Sequence, residues 1–299
     1  MVSDLEIHPL DLHFRYWPES IASNLVIGPE GPVLVETGPC STLHTLQKEL
    51  AHHGFSPTDV RDVLVTHIHL DHAGAAGWWA QQGARVHVHH LGAPHLIDPS
   101  KILSSARRIY QDMMDELWVE VLPAPAEQVH SLRDGNLIRA GGLTFSALDT
   151  PGHARHHMVY LLKEVAFTGD AAGIRQPGRS FIQMPTVPPE FDLVDWQESI
   201  ARMQARGPAR LYLTHFGPVN EVDVHLSAAS TILRESAQRV RQGMIRGATR
   251  EEILRDIAEW EASREGESTL IGAGQLSQTG FGSLSTYVDG MMRYWSKLL

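Results

Sequence analysis

Four short apolar runs in this 299-residue chain each end at a side chain able to bind metal, and no other feature restricts the fold as tightly. VLVT runs into His67, TFSALDTPG into His153, VAFTG into Asp170 and LYLT into His215. Runs of this length and residue type read as strands. Side chains so distant in sequence can meet only if rigid sheets aim the ends of their strands at one point.

The richest stretch is THIHLDHAGAAG, residues 66–77. On extended backbone His67 and His69 point to one side. Asp71 and His72 fall on the turn that follows, free to address a second ion. Ala73, Gly74 and Gly77 let a helix start close against the site. Imidazoles with carboxylates and no thiolate suit zinc, iron or manganese.

Further runs extend the strand pattern. NLVIG and PVLVE flank Pro29-Glu30-Gly31 as a hairpin, and DVLVT, RVHVH, LTFSALD, MVYLL, EVAFT and RLYLT continue it, with a helix near 42–53. Strands alternating with helices predict an α/β protein of mixed layers. Ile102, Leu103, Ala106, Ile109, Tyr110, Met113, Met114 and Leu117 recur at helical spacing and predict one helix over 99–118, capped by Asp98 or Ser100. That helix either faces the core or roofs a substrate pocket. From about 226 the pattern turns helical, with a Thr249–Glu252 capping box and an apolar stripe of Ile253, Leu254, Ile257 and Trp260. The expected division is a catalytic domain over 1–225 and a helical extension over 226–299, serving as a lid or as a homodimer interface.

Composition excludes several classes. A net charge of −10 without a basic stripe argues against nucleic acid as partner, and the Arg107–Arg108 pair reads as a solvated helix face. No apolar run approaches the roughly 20 residues of a membrane span, so no membrane partner is expected. The N-terminal MVSDLEIHPLDLHF has neither a basic nor an apolar signal region, and Cys40 is the single cysteine; both fit a cytoplasmic protein. His87, His89 and His90 in VHVHH read as structural residues alternating on a strand.

The ordered set HxHxDH, PGH, GD and THFG resembles the metallo-β-lactamase-fold hydrolases, over roughly residues 20–225. The resemblance implies a four-layer αββα sandwich with metals at one edge between the sheets. It implies that His67, His69 and His153 hold one metal ion, that Asp71, His72 and His215 hold a second, and that Asp170 bridges them. Two divalent ions are implied as cofactors, zinc first, iron or manganese as alternatives. An all-His/Asp set is similar to that of the glyoxalase II and lactonase branch. Cysteine usually stands at the position of Asp170 in the clinical β-lactamases, which argues against efficient β-lactam hydrolysis. Glu36 in VLVETG stands where the family usually has aspartate. His153, which follows Pro151-Gly152, is read as the ligand of HARHH; His156 and His157 are read as a polar loop and the start of the next strand.

The implied chemistry is attack by a metal-bridging hydroxide on the carbonyl of an ester, lactone or thioester of a small molecule, with Asp71 orienting the nucleophile and moving its proton. Expected pocket walls are Tyr16, Trp17, the 99–118 helix and residues 174–185, with Arg15, Arg175 and Arg179 available to a substrate carboxylate. The alternative is an iron-dependent oxidoreductase similar to the sulfur dioxygenases of the same fold. A mononuclear iron site would not need Asp71 and His72.

Overall fold

A computed structural model describes residues 5–178, 181–264 and 284–299. The first sheet runs, in spatial order, β1 (Glu6–Asp11), β2 (Ala22–Gly28), β3 (Gly31–Val35), β4 (Asp62–Leu64), β5 (Arg85–His89) and β6 (Val129–Leu132). In the second sheet the strands follow from β7 (Leu137–Ala140) through β8 (Leu143–Asp149), β9 (Met158–Leu162), β10 (Val165–Gly169) and β11 (Arg210–Leu213) to β12 (Gly217–Val219). Strands β3 to β6 pair in parallel, as do β10 and β11; the other pairings are antiparallel.

The β2–β3 hairpin forms as the sequence predicts, with Gly28 opposite Gly31. Side-chain alternation then divides its residues between two cores. Leu25 and Leu34 face an outer layer, while Val26, Val33 and Val35 face the other sheet. That outer layer includes α1 (Leu43–His52), α2 (Leu70–Ala73), α3 (Ala76–Gln81), α4 (Ala93–Ile97), α5 (Ser100–Tyr110) and α6 (Met114–Leu117). Phe145, Tyr160, Phe167 and Tyr212 fill the layer between the sheets. Behind the second sheet pack α7 (Leu193–Arg206), α8 (Val222–Ile245), α9 (Arg250–Arg264) and α10 (Leu284–Trp295), which bury Trp196, Leu226, Ile257 and Val288. The architecture is the expected αββα sandwich with C-terminal helices.

Tyr160 ties the two sheets together: its buried hydroxyl lies 2.9 Å from the Val65 carbonyl and 3.1 Å from that of His87, within reach of either acceptor. The sheets also exchange backbone bonds at the end where the predicted ligands emerge, Met158 N–H to Thr66 O at 2.7 Å and Ala22 N–H to Thr214 O at 2.8 Å.

The single helix predicted over 99–118 is broken. Pro99 stands at its N-cap position without a side-chain cap, and Asp98 just before it accepts from the Ser100 N–H at 3.1 Å. At Gln111 the backbone turns left-handed, with φ of 46°, which ends α5; a 3-10 turn leads into α6. The Thr249–Glu252 capping box forms, with Thr249 N–H donating to Glu252 at 2.8 Å and Glu252 N–H to Thr249 Oγ1 at 3.2 Å. No helix among the described residues is long and apolar enough to cross a membrane.

Candidate metal centre

All seven predicted residues converge at one edge of the sandwich. His67 follows β4 and His69 precedes α2, while Asp71 and His72 sit in α2's first turns. His153 follows β8, Asp170 follows β10 and His215 follows β11. Three overlapping groups result, with the donor atoms within each lying no more than 4.8 Å apart: a first of His67, His69 and His153, a second of Asp71, His72 and His215, and between them His67, His72 and Asp170.

In the first group, His69 Nδ1 is 2.9 Å from His67 Nε2 and 2.9 Å from His153 Nε2. In the second, His72 Nε2 is 3.3 Å from His215 Nε2, and Asp71 Oδ2 is 3.6 Å and 3.5 Å from those two nitrogens. Asp170 stands between them. Its Oδ2 lies 3.3 Å from His153 Nε2, and its Oδ1 lies 3.3 Å from His72 Nε2 and 3.4 Å from His215 Nε2.

The far sides of the rings explain why they face inward. His153 Nδ1 donates to Pro185 O at 2.7 Å and His215 Nδ1 to Ser20 O at 2.9 Å. His72 Nδ1 donates to Glu36 Oε1 at 3.1 Å. The Thr66 hydroxyl donates to Glu36 and accepts from His67 Nδ1 at 3.1 Å. Each backing bond fixes a tautomer and leaves Nε2 to address the centre. Glu36 is fully buried and therefore braces two rings, one directly and one through Thr66. The glutamate at this family-atypical position reaches its partners from a left-handed backbone, φ 72°.

Electrostatics favour a cation here. Burial, reinforced by neighbouring imidazoles, holds His67 well below its ordinary value and His69 down at about 3, so both rings are neutral ligands at physiological pH. Burial also holds His153 low, against the pull of Asp170. For His72, burial opposes charge, but Asp170, Asp71 and Glu36 outweigh it and raise the ring well above its ordinary value. Asp170 is held well below the carboxylate range, His72 and His153 outweighing its burial. A proton on His72 thus occupies a place where the surrounding carboxylates call for positive charge.

The donor set fits divalent metal ions. In the first group the His67 and His153 Nε2 atoms, left unprotonated by their backing bonds, both face His69 Nδ1, which has at most one proton for the two of them. Asp170 Oδ1 is buried and makes no well-formed hydrogen bond among the described residues, despite its close nitrogens. Buried acceptors without donors are costly, and cations between these atoms would satisfy them.

A cavity of about 250 Å³ opens over the cluster. Asp71 and Asp170 border it, with Ile68, Ile102, Ile109 and Trp118 as apolar wall. The 99–118 segment therefore does face the pocket, as do Ile174 and Pro185. Tyr16 does not: it is 98% exposed, on a loop where His13, Arg15, Tyr16 and Glu19 all have positive φ. Trp17 and Arg175 are also absent from the wall, Arg175 being bound by its backbone to that of His215. Arg15 pairs with Glu116 at 3.2 Å. Arg179 lies outside the described residues.

Other histidines divide cleanly. His87 pairs with buried Asp62 at 2.8 Å and His89 with Asp149 at 3.2 Å, away from the cavity. His157 is buried and accepts the Asp170 N–H at 3.2 Å, with Nδ1 2.8 Å from Thr150 Oγ1. It positions the Asp170 backbone, a role its place at the head of a strand did not reveal. His156 lines the cavity.

Two layered sheets with a His/Asp cluster at one edge define a class of α/β proteins suited to hold divalent cations between loops. This chain belongs to the metallo-beta-lactamase superfamily, whose family model matches residues 16–215. It is 27% identical over 209 residues, 68% of this chain and 76% of the relative, to a metallo-beta-lactamase fold-containing protein of Sulfurisphaera tokodaii. It is 26% identical over 178 residues, 59% of this chain but 33% of the relative, to an atrochrysone carboxyl ACP thioesterase of Aspergillus fumigatus. Among solved structures it superimposes on a metallo-beta-lactamase family protein of Thermus thermophilus with a TM-score of 0.72, at 21% identity, covering 98% of this chain and 93% of the other.

Proposed function

We propose that the chain is a dinuclear metal-dependent hydrolase of small-molecule esters, lactones or thioesters. The observation that carries this reading is the split of Asp170, one carboxylate oxygen toward each group of ligands. His67, His69 and His153 would hold one ion, Asp71, His72 and His215 the other, with Asp170 shared. Such ions lower the pKa of coordinated water toward about 7 and polarise a carbonyl. Zinc suits the nitrogen-rich donor set, with iron or manganese as alternatives.

The chain's own residues have separable tasks. Asp71 is the more open of the two carboxylates, its side chain 19% exposed against 5% for Asp170. It borders the cavity and is held down at about 2, since His72 and His215 outweigh its burial. It is therefore ionised and acceptor-only at the cavity floor, placed to orient a nucleophile by accepting its hydrogen bond; proton uptake would need its value to rise once the histidine charges are replaced. The apolar wall excludes water and accepts an acyl chain. A thioester is favoured within this class by the similarity to the Aspergillus fumigatus thioesterase.

We read residues 226–299 as an extension that completes the pocket. Support comes from Tyr287 on α10, buried and bordering the cavity, and from Thr186 Oγ1 donating to the Tyr287 carbonyl at 2.8 Å.

The test combines elemental mass spectrometry of protein purified without chelator with turnover of ester, lactone and thioester panels. Near two zinc ions per chain and hydrolysis of one panel are expected. About one iron per chain, with oxygen consumed on a persulfide, would replace the hydrolase with a dioxygenase.

A further inference from the structure

Resting on that hydrolase reading, we propose that Glu190, held by His156, is a specificity-determining residue that recognises a hydrogen-bond donor, hydroxyl or ammonium, on the substrate. The substrate class narrows accordingly, to acyl compounds bearing such a group.

Glu190 and His156 both border the cavity. His156 is buried, and its ring centre lies 5.6 Å from that of His69, so the pair flanks the ligand cluster. His156 Nε2 donates to Glu190 Oε2 at 3.2 Å, and the Arg155 N–H reaches the same oxygen at 3.4 Å. The Ile68 N–H approaches His156 Nδ1 at 3.5 Å, which makes that nitrogen the acceptor and Nε2 the donor. One carboxylate oxygen is thus anchored. The other, Oε1, has no hydrogen-bond partner among the described residues, and the side chain is 32% exposed.

The carboxylate is ionised at any working pH. Burial pushes it up, but the His156 hydrogen bond outweighs that and holds it down at about 2. No arginine or lysine pairs with it among the described residues. An ionised acceptor on a largely apolar wall is a strong receptor for a donor, because charge-assisted hydrogen bonds are about twice as strong as neutral ones and low local dielectric strengthens them. The one lysine on the wall, Lys101, is exposed at the start of α5 and offers the opposite preference, for an anionic group.

The test is calorimetric titration of the metal-loaded protein with four six-carbon amides: hexanamide, 5-hydroxyhexanamide, 6-aminohexanamide and the monoamide of adipic acid. The expected result is that the hydroxyl or the ammonium compound binds about tenfold more tightly than hexanamide, as one charge-assisted bond provides. Which of the two gains identifies the donor. Glu190→Gln should lose that gain, and Glu190→Asp, which keeps the charge on a shorter arm, should retain part of it. Equal binding of all four, a gain that persists in Glu190→Gln, or tightest binding of the adipic monoamide would overturn the proposal. Turnover of S-phenyl thiohexanoate, measured alongside, reads the hydrolase assignment separately, since that probe carries no donor.

Discussion

Glu36 Oε1 accepts from His72 Nδ1 at 3.1 Å, and this contact decides which nitrogen His72 turns toward the centre. The same carboxylate takes the Thr66 hydroxyl and the Thr66 N–H, so one buried side chain sets the posture of the first histidine and the last in the HxHxDH stretch. Glu36→Gln keeps the shape but brings an amide that can donate where His72 now donates. Metal affinity should fall about 10- to 100-fold, the range seen when backing partners of ligating histidines are changed. Competition with a chelator of known affinity measures it; unchanged affinity would dismiss Glu36 as a brace.

Asp170→Asn should lower metal content below two ions per chain. The amide offers one neutral oxygen where two charged ones now face separate ligand groups, at 3.3 Å from His153 and 3.3 Å from His72. Elemental analysis after dialysis against zinc gives the count. Retention of two tightly held ions would mean that the shared carboxylate is dispensable.

Asp71→Ala should abolish turnover beyond what its lost metal explains. Its carboxylate is ionised and borders the cavity, so on the proposed mechanism its removal takes away the group that orients the nucleophile as well as a metal donor. The variant is assayed at zinc concentrations that restore full occupancy. A metal-replete variant with near-normal kcat would remove Asp71 from the mechanism.

Acid should erase the stabilising effect of Glu190. Its folded value, about 2, lies below its ordinary 4.5, so the carboxylate stabilises the fold fully above pH 4.5 and loses that effect as pH falls toward 2. In metal-free protein, urea midpoints of the wild type and Glu190→Gln should differ by a constant amount near pH 6. They should converge below about pH 4.5. A difference that grows on acidification contradicts the sign of the shift.

Gly290→Ala tests the seating of α10. A Cβ there would stand 1.8 Å from the Thr186 carbonyl oxygen, a clash with backbone rather than with a flexible side chain. Alanine favours helix over glycine by about 1 kcal/mol, but overpacking costs about 1–3 kcal/mol, so the variant should be destabilised. Thermal unfolding reads the stability, and the thioester assay reads whether Tyr287 has moved. A more stable, equally active variant would show that α10 can shift without consequence.

The His/Asp cluster was legible because His67, His153, Asp170 and His215 each follow an apolar strand, and His69, Asp71 and His72 come within five residues of His67. Other features carried no such signal. The 99–118 periodicity continues across Gln111 because Met114 and Leu117 still reach the buried layer after the chain has turned; the pattern records the covered face, not the continuity of the backbone. Strands β1, β6, β7 and β12 went unread. Three of them are short, and β1 carries Pro9 inside a half-buried edge. Tyr16 and Trp17 looked like pocket residues because aromatic side chains near a motif invite that reading, yet the strained loop turns Tyr16 outward. Glu190 could not be paired with His156 from sequence, since only the fold of the proline-rich segment brings them to 3.2 Å.

Among the stretches of chain that bound the cavity are α5, the segment around Pro185–Glu190, and α10. During synthesis these leave the ribosome at different times. The last cluster residue, His215, precedes Leu284–Trp295 in the chain, so the helix that closes over the cluster comes from a later stretch than any residue within it. Cluster and enclosure are therefore encoded apart: a change in α10 can alter access to the His/Asp cluster without touching any residue of it.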